Sequence, residues 1–153
     1  MGSILPVAPM PTVRKSVIVH HPCETMFDLV DRVEDYPGFL PWCRGVEVTE
    51  RSATVTQARI EIDYHGLTTA FTTRNAKARP DSMELAFVEG PFESFGGRWT
   101  FTPLGEDGCR VELALDYELA GHALAGLAAP VFGHILETLV ELFVARADAG
   151  DGG

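Results

Sequence analysis

The chain has 153 residues, which suits one domain with a real core, and 46% hydrophobic with 22% charged residues are ordinary values for a folded soluble protein. The formal net charge is −10. Lys15 and Lys77 are the only lysines and the arginines are scattered, so DNA, a broad RNA footprint and an anionic bilayer are all disfavoured as partners.

Residues Met1 to Pro11 are apolar and proline-rich with no basic stretch, unlike a secretory signal. Residues 1–10 are expected to be a disordered leader, 11–147 a single domain and 148–153 a disordered tail. Thr12 to His20 is rich in β-branched residues and reads as a first strand. Pro22 suits the first position of a helix, and Glu24 the positive end of its dipole. Met26, Phe27, Leu29, Val30 and Val33 then supply an apolar face.

Tyr36-Pro37-Gly38-Phe39-Leu40-Pro41-Trp42-Cys43 follows, where two prolines and a glycine forbid a regular helix or a central strand. Four large apolar residues in such a loop are expected to pack on the core or line an opening. From there the period changes to two. Gly45–Arg51, Ala53–Tyr64, Leu67–Arg79, Ser82–Glu89, Phe95–Pro103 and Cys109–Leu119 read as strands, separated by breaks short enough for antiparallel hairpins. Val111, Leu113, Leu115 and Tyr117 alternate with Glu112, Ala114, Asp116 and Glu118, which gives the sheet one wet side. Gly90, Gly96 and Gly97 mark bends or close approaches.

The last segment, Leu124 to Arg146, repeats apolar residues at spacings of three and four, the period of a helix with one wide apolar face. Pro130 is expected to kink it or end a first piece near Ala129. Its ionisable residues argue against a membrane span. Seven antiparallel strands, a helical insert after the first and a long terminal helix make an α+β layout, and seven twisted strands must curl.

The three cysteines, Cys23, Cys43 and Cys109, fit no metal spacing, and their odd number argues against a closed disulfide framework. A reducing cytoplasm is the expected setting. His20, His21, His65, His122 and His134 show no zinc spacing, and Cys43 has no histidine partner in the sequence, so a buried inert thiol is expected there. Neither a phosphate-binding glycine loop nor a nucleophile–base pair is legible, so the expectation is a chain that is not an enzyme, with no metal and no catalytic residue. Large apolar residues carry more information. Phe39, Leu40 and Trp42 in the proline loop, Phe71 and Phe87 on strands, Phe92 in the glycine-bracketed turn, Trp99 and Phe101 beyond it, and Leu136 and Val140 on the terminal helix are the candidate lining of an apolar cavity.

Several of these stretches resemble one family. Tyr36-Pro37 with Phe39 to Cys43, Gly90-Pro91-Phe92 with Gly97, Trp99-Thr100-Phe101, Asp116-Tyr117-Glu118, Pro130-Val131-Phe132, and Phe143 with Arg146-Ala147 are similar to the coenzyme Q-binding branch of the START-like (polyketide cyclase/lipid transport) superfamily. Bacterial members are also called ribosome association toxin RatA. The resemblance covers roughly residues 10–147. It implies a helix-grip fold, in which a curved antiparallel sheet wraps the C-terminal helix around a hydrophobic tunnel. It also implies ubiquinone or a related lipid as ligand and a supporting role in respiration. The setting implied is cytoplasmic, with transient contact at the inner membrane. The RatA members imply an alternative partner, the large ribosomal subunit, and related folds imply a third reading, a polyketide cyclase or aromatase.

Overall fold

The computed structural model describes residues 12–150; the expected leader and residues 151–153 lie outside them. All seven expected strands are present: β1 (Thr12–Val19), β2 (Cys43–Arg51), β3 (Val55–Tyr64), β4 (Leu67–Ala78), β5 (Ser82–Glu89), β6 (Phe92–Leu104) and β7 (Gly108–Leu119). They form one sheet in the order β1-β7-β6-β5-β4-β3-β2, and every neighbouring pair is antiparallel. The chain therefore starts at one edge. It crosses to the other through α1 (Cys23–Asp31) and a 3-10 segment, Val33–Gly38, and returns strand by strand until β7 meets β1.

The turns behave as their residues demand. Tyr64 pairs with Leu67 around His65-Gly66, with φ of 49° and 85°. A two-residue hairpin needs positive φ at both positions, which glycine accepts readily and histidine less so. The expected alternation holds on β7: Val111, Leu113, Leu115 and Tyr117 are buried, while Glu112, Ala114, Asp116 and Glu118 are not. Register shifts at Cys43/Gly45, Val48/Glu50, Thr72/Thr73 and Phe92/Ser94 are bulges that bend the sheet. Strand β6 begins at Phe92, so this residue belongs to a strand and not to the preceding turn.

Pro22 stands one place ahead of α1, and its carbonyl accepts the Met26 N–H at 3.2 Å. The Tyr-Pro stretch is not free loop at its start: Pro37 lies inside the 3-10 segment. Tyr36 secures that segment to α1 by donating its buried hydroxyl to the Val30 carbonyl. At the end of α1, the Asp31 carboxylate accepts from Thr56 Oγ1 at 2.8 Å and Lys77 Nζ at 2.9 Å. The Lys77 side chain is only 5% exposed. This ion pair fixes α1 across β3 and β4.

The terminal helix, α2 (His122–Ala149), is one continuous element of 28 residues, about 42 Å by helical rise. It revises two expectations. His122 opens the helix. Pro130 does not end it, although a proline removes the bond to the Gly126 carbonyl and its ring crowds that same carbonyl. Ala128 before it and Phe132 and Ile135 after it are all buried, which holds the segment in place. The helix also runs past Arg146, so Asp148 is no part of a tail; its carboxylate lies 2.7 Å from His21 Nε2. Ala128–Ala149 would pass for a membrane span by length and composition alone. Its position does give it another role, since Phe132, Ile135, Leu136, Val140, Phe143 and Ala147 are buried in the core.

One cysteine expectation also fails. Cys23 and Cys109 are joined as a disulfide with Cα atoms 5.1 Å apart. The start of α1 meets the start of β7, and this spacing is one a disulfide can bridge. The odd count leaves Cys43 as a single buried thiol.

Candidate functional site

A cavity of about 70 Å³ lies between α2 and the inner face of the sheet. Its wall comes from Val33 and Tyr36 of the 3-10 segment, Trp42 ahead of β2, Ile60 and Ile62 of β3, Phe71, Thr73 and Asn75 of β4, Leu85 of β5, Phe92 and Phe95 of β6, and Leu113 and Leu115 of β7. Phe132, Ile135, Leu136, Leu139 and Phe143 of α2 complete it. Two glycines make this interior possible. A Cβ on Gly97 would strike Leu115, which lies across it, and one on Gly90 (φ 146°) would fall 2.6 Å from Phe71 Cβ. Both are the close approaches expected of glycine inside or beside a strand.

The aromatic residues of the wall gather around Phe92. Its ring centroid is 5.0 Å from Phe95, 5.0 Å from Phe132, 5.8 Å from Phe71 and 5.8 Å from Phe87. Edge-to-face and tilted arrangements at these separations are the ones aromatic pairs prefer. The polar residues of the wall are Trp42, Thr73 and Asn75, with Tyr36. Tyr36 is already committed to Val30, and burial raises its phenol far above the ordinary range, so it stays a neutral donor. Trp42 Nε1 and Asn75 Oδ1 are buried and have no hydrogen-bond partner among the described residues. Leaving such a group dry costs about 1–3 kcal/mol, so each has hydrogen-bonding capacity to offer a water or a guest.

Trp42 has a second role. It also lines a surface groove of about 250 Å³ together with Pro41, Tyr64, His134, Thr138, Glu141 and Leu142. Trp42 thus stands between the groove and the interior, beside the proline loop expected to pack on the core or line an opening.

Of the residues expected to line a cavity, Trp42, Phe71, Phe92 and Leu136 do so. Leu40, Trp99, Phe101 and Val140 are core and do not border it; Trp99 stacks on Phe101 at 6.1 Å. Phe87 backs Phe92 from outside the wall. Phe39 turns away from the cavity, 6.0 Å from Tyr36 and 5.5 Å from Phe143, with the Arg146 guanidinium 5.3 Å above its ring. The sequence reading omits Thr73 and Asn75. A signal for them exists: alternation puts Leu67, Phe71, Thr73 and Asn75 on one face of β4, and that face must turn inward.

The Cys43 thiol is pushed up to about 11, chiefly by burial, so it is not a thiolate near neutrality. Among the described residues, no three histidine, cysteine, aspartate or glutamate side chains converge as a metal site would require. Among the described residues, no charged side chain borders the cavity.

A curved antiparallel sheet gripping one C-terminal helix over an apolar hollow is the helix-grip architecture of START-like proteins. The chain belongs to the family described as polyketide cyclase / dehydrase and lipid transport, which matches residues 19–144. It is 35% identical over 135 residues to the ribosome association toxin RatA of Pseudomonas aeruginosa, covering 88% of this chain and 94% of that one. It is 33% identical over 147 residues to the persistence and stress-resistance toxin PasT of an Escherichia coli strain, covering 96% and 93%. A solved START superfamily protein of Mycobacterium smegmatis superposes with a TM-score of 0.75 at 24% identity, covering 90% of this chain and 97% of that one. The last comparison bears on fold alone.

Proposed function

We propose that this protein is a non-enzymatic carrier of a hydrophobic small molecule, ubiquinone or a related lipid, held between α2 and the sheet in support of respiratory electron transport. The observation that carries this reading is the apolar cavity whose wall includes two unpaired buried polar atoms. At about 70 Å³ it is smaller than the roughly 150 Å³ that accepts a single benzene ring. Loading therefore requires the wall to open, and Trp42 is the residue that stands between groove and interior. The working place of such a carrier is the cytoplasm, with brief contact at the inner membrane. Organic extraction of the purified protein followed by mass spectrometry tests it. A bound quinone or lipid at near-stoichiometric yield is the expected result; repeated recovery of none, with no uptake of added quinone, refutes it.

A second reading is favoured by the RatA and PasT names of the relatives: a cytoplasmic factor that binds the large ribosomal subunit and blocks subunit joining. Against a large RNA footprint, many of the cations are occupied within the chain. Arg51, Arg59, Arg74, Lys77 and Arg79 each pair with a carboxylate, where RNA binding needs clustered free ones. Sedimentation of ribosomes after overexpression separates the two: an excess of free subunits supports this reading. Turnover of an aromatic polyketide would instead support the cyclase reading that the family description includes.

A further inference from the structure

Resting on the carrier reading, we propose that the guest is held in two compartments. Its ring enters the cavity, and its hydrocarbon chain lies outside, in a surface trough between α2 and the β3–β4 hairpin. The enclosed volume of about 70 Å³ falls short of what a single benzene ring takes. A close-packed core that must already widen for a ring has no place for a chain as well. Two surface grooves supply the missing space. One, of about 280 Å³, is lined by Tyr64, His65, Pro130, Val131 and His134. The other is the groove of about 250 Å³ that Trp42 borders, and Tyr64 and His134 line it too. The grooves therefore meet at that pair of rings, and the second reaches the cavity at Trp42.

The lining suits an alkyl or isoprenoid chain. Tyr64 and His134 stack with ring centroids 6.0 Å apart and planes 18° from parallel, which couples the hairpin to the helix where the grooves meet. Val131 and Leu142 are only partly buried against the core, so each leaves apolar surface for the trough. Pro41 and Pro130 are exposed and add ring carbons. Among the described residues, Glu141 is the only carboxylate in this lining. A chain left in water gains nothing from the protein, whereas each CH₂ fully removed from water raises affinity about fourfold. Among the described residues of α2, none borders both the cavity and the trough, so the helix offers a separate face to each compartment.

Titration calorimetry on the full chain tests this with decylubiquinone and its chainless parent, the same dimethoxy-methyl benzoquinone ring. The quantity read is the ratio of the two affinities, in which any change common to both ligands cancels. On the unaltered protein the decyl chain is expected to raise affinity about a hundredfold, well below the gain from burying the whole chain, because a trough covers one side of it. His134→Glu sets a carboxylate where the two grooves meet, at an exposed helix position. It should cut the ratio to about tenfold or less, since the chain then has to cover a charge. Pro130→Glu, also at an exposed position of α2, restores a helical N–H and should cut the ratio by a smaller factor. A ratio unchanged in both variants, or near one on the unaltered protein, overturns the trough and leaves the carrier reading intact. Failure of both quinones to bind the unaltered protein overturns both.

Discussion

Strands β7 and β4 belong to one sheet and face the same helix, yet their inner faces differ. On β7 every inward position is buried and apolar or aromatic: Cys109, Val111, Leu113, Leu115 and Tyr117. On β4 the inward stripe holds Leu67 and Phe71 but also Thr73, Asn75 and Lys77. The first strand is what a core requires. The second places an amide without a partner beside a cavity and, two residues on, an ammonium tied to Asp31. Both strands border the cavity, but β7 contributes only apolar groups to its wall and β4 contributes the polar ones.

This contrast can be broken or sharpened in steps. The largest effect is expected from the disulfide that pins the start of β7 to α1. It closes a separation of 86 residues, and reduction should cost about 4 kcal/mol in urea unfolding. Thiol titration of the denatured, unreduced protein should find only Cys43; three reactive thiols would remove the bond from the account. Next, Leu113→Ala on β7 should cost about 3 kcal/mol by cavity creation, since Leu113 is fully buried. Asp31→Ala should cost about 2 kcal/mol, because it strands the Lys77 ammonium and the Thr56 hydroxyl. On β4 itself the sign should reverse. Asn75→Leu removes an unpaired buried acceptor and should leave stability unchanged or raised by up to about 1 kcal/mol. A loss comparable to that of Leu113→Ala would mean that Asn75 is ordinary core.

The smallest effect is electrostatic. Asp28 accepts from Arg79 at 2.7 and 2.8 Å, and this pair holds its carboxyl below the usual 3.8. A carboxyl depressed on folding contributes stability that is complete above its unfolded value and is lost as pH falls through the folded one. Asp28→Asn should therefore be slightly less stable than the parent at pH 7. The two should converge as the pH drops below about 4 in acid titrations followed by circular dichroism.

The same contrast explains what was legible in the sequence. β7 reads directly, because apolar and charged residues alternate and only one face can be the core. The helix α2 reads directly from its spacing, and the proline loop from large side chains where polar ones belong. Within that loop the direction of each side chain has no period to betray it. Trp42 reaches the cavity and Phe39 does not, although their sequence signals are alike. Thr73 and Asn75 were missed for a different reason: polar residues in a strand look wet until the register of β3, β4 and β5 turns them inward. The bond between Cys23 and Cys109 depends on α1 meeting β7, a tertiary contact that no local spacing records.

The indole that separates groove from interior has one more consequence. The chain has two tryptophans, and Trp99 is packed flat against Phe101, away from the cavity wall. On the carrier proposal Trp42 is the tryptophan that a guest would touch, so a change in the protein's intrinsic emission on adding quinone is the expected unlabelled readout of occupancy.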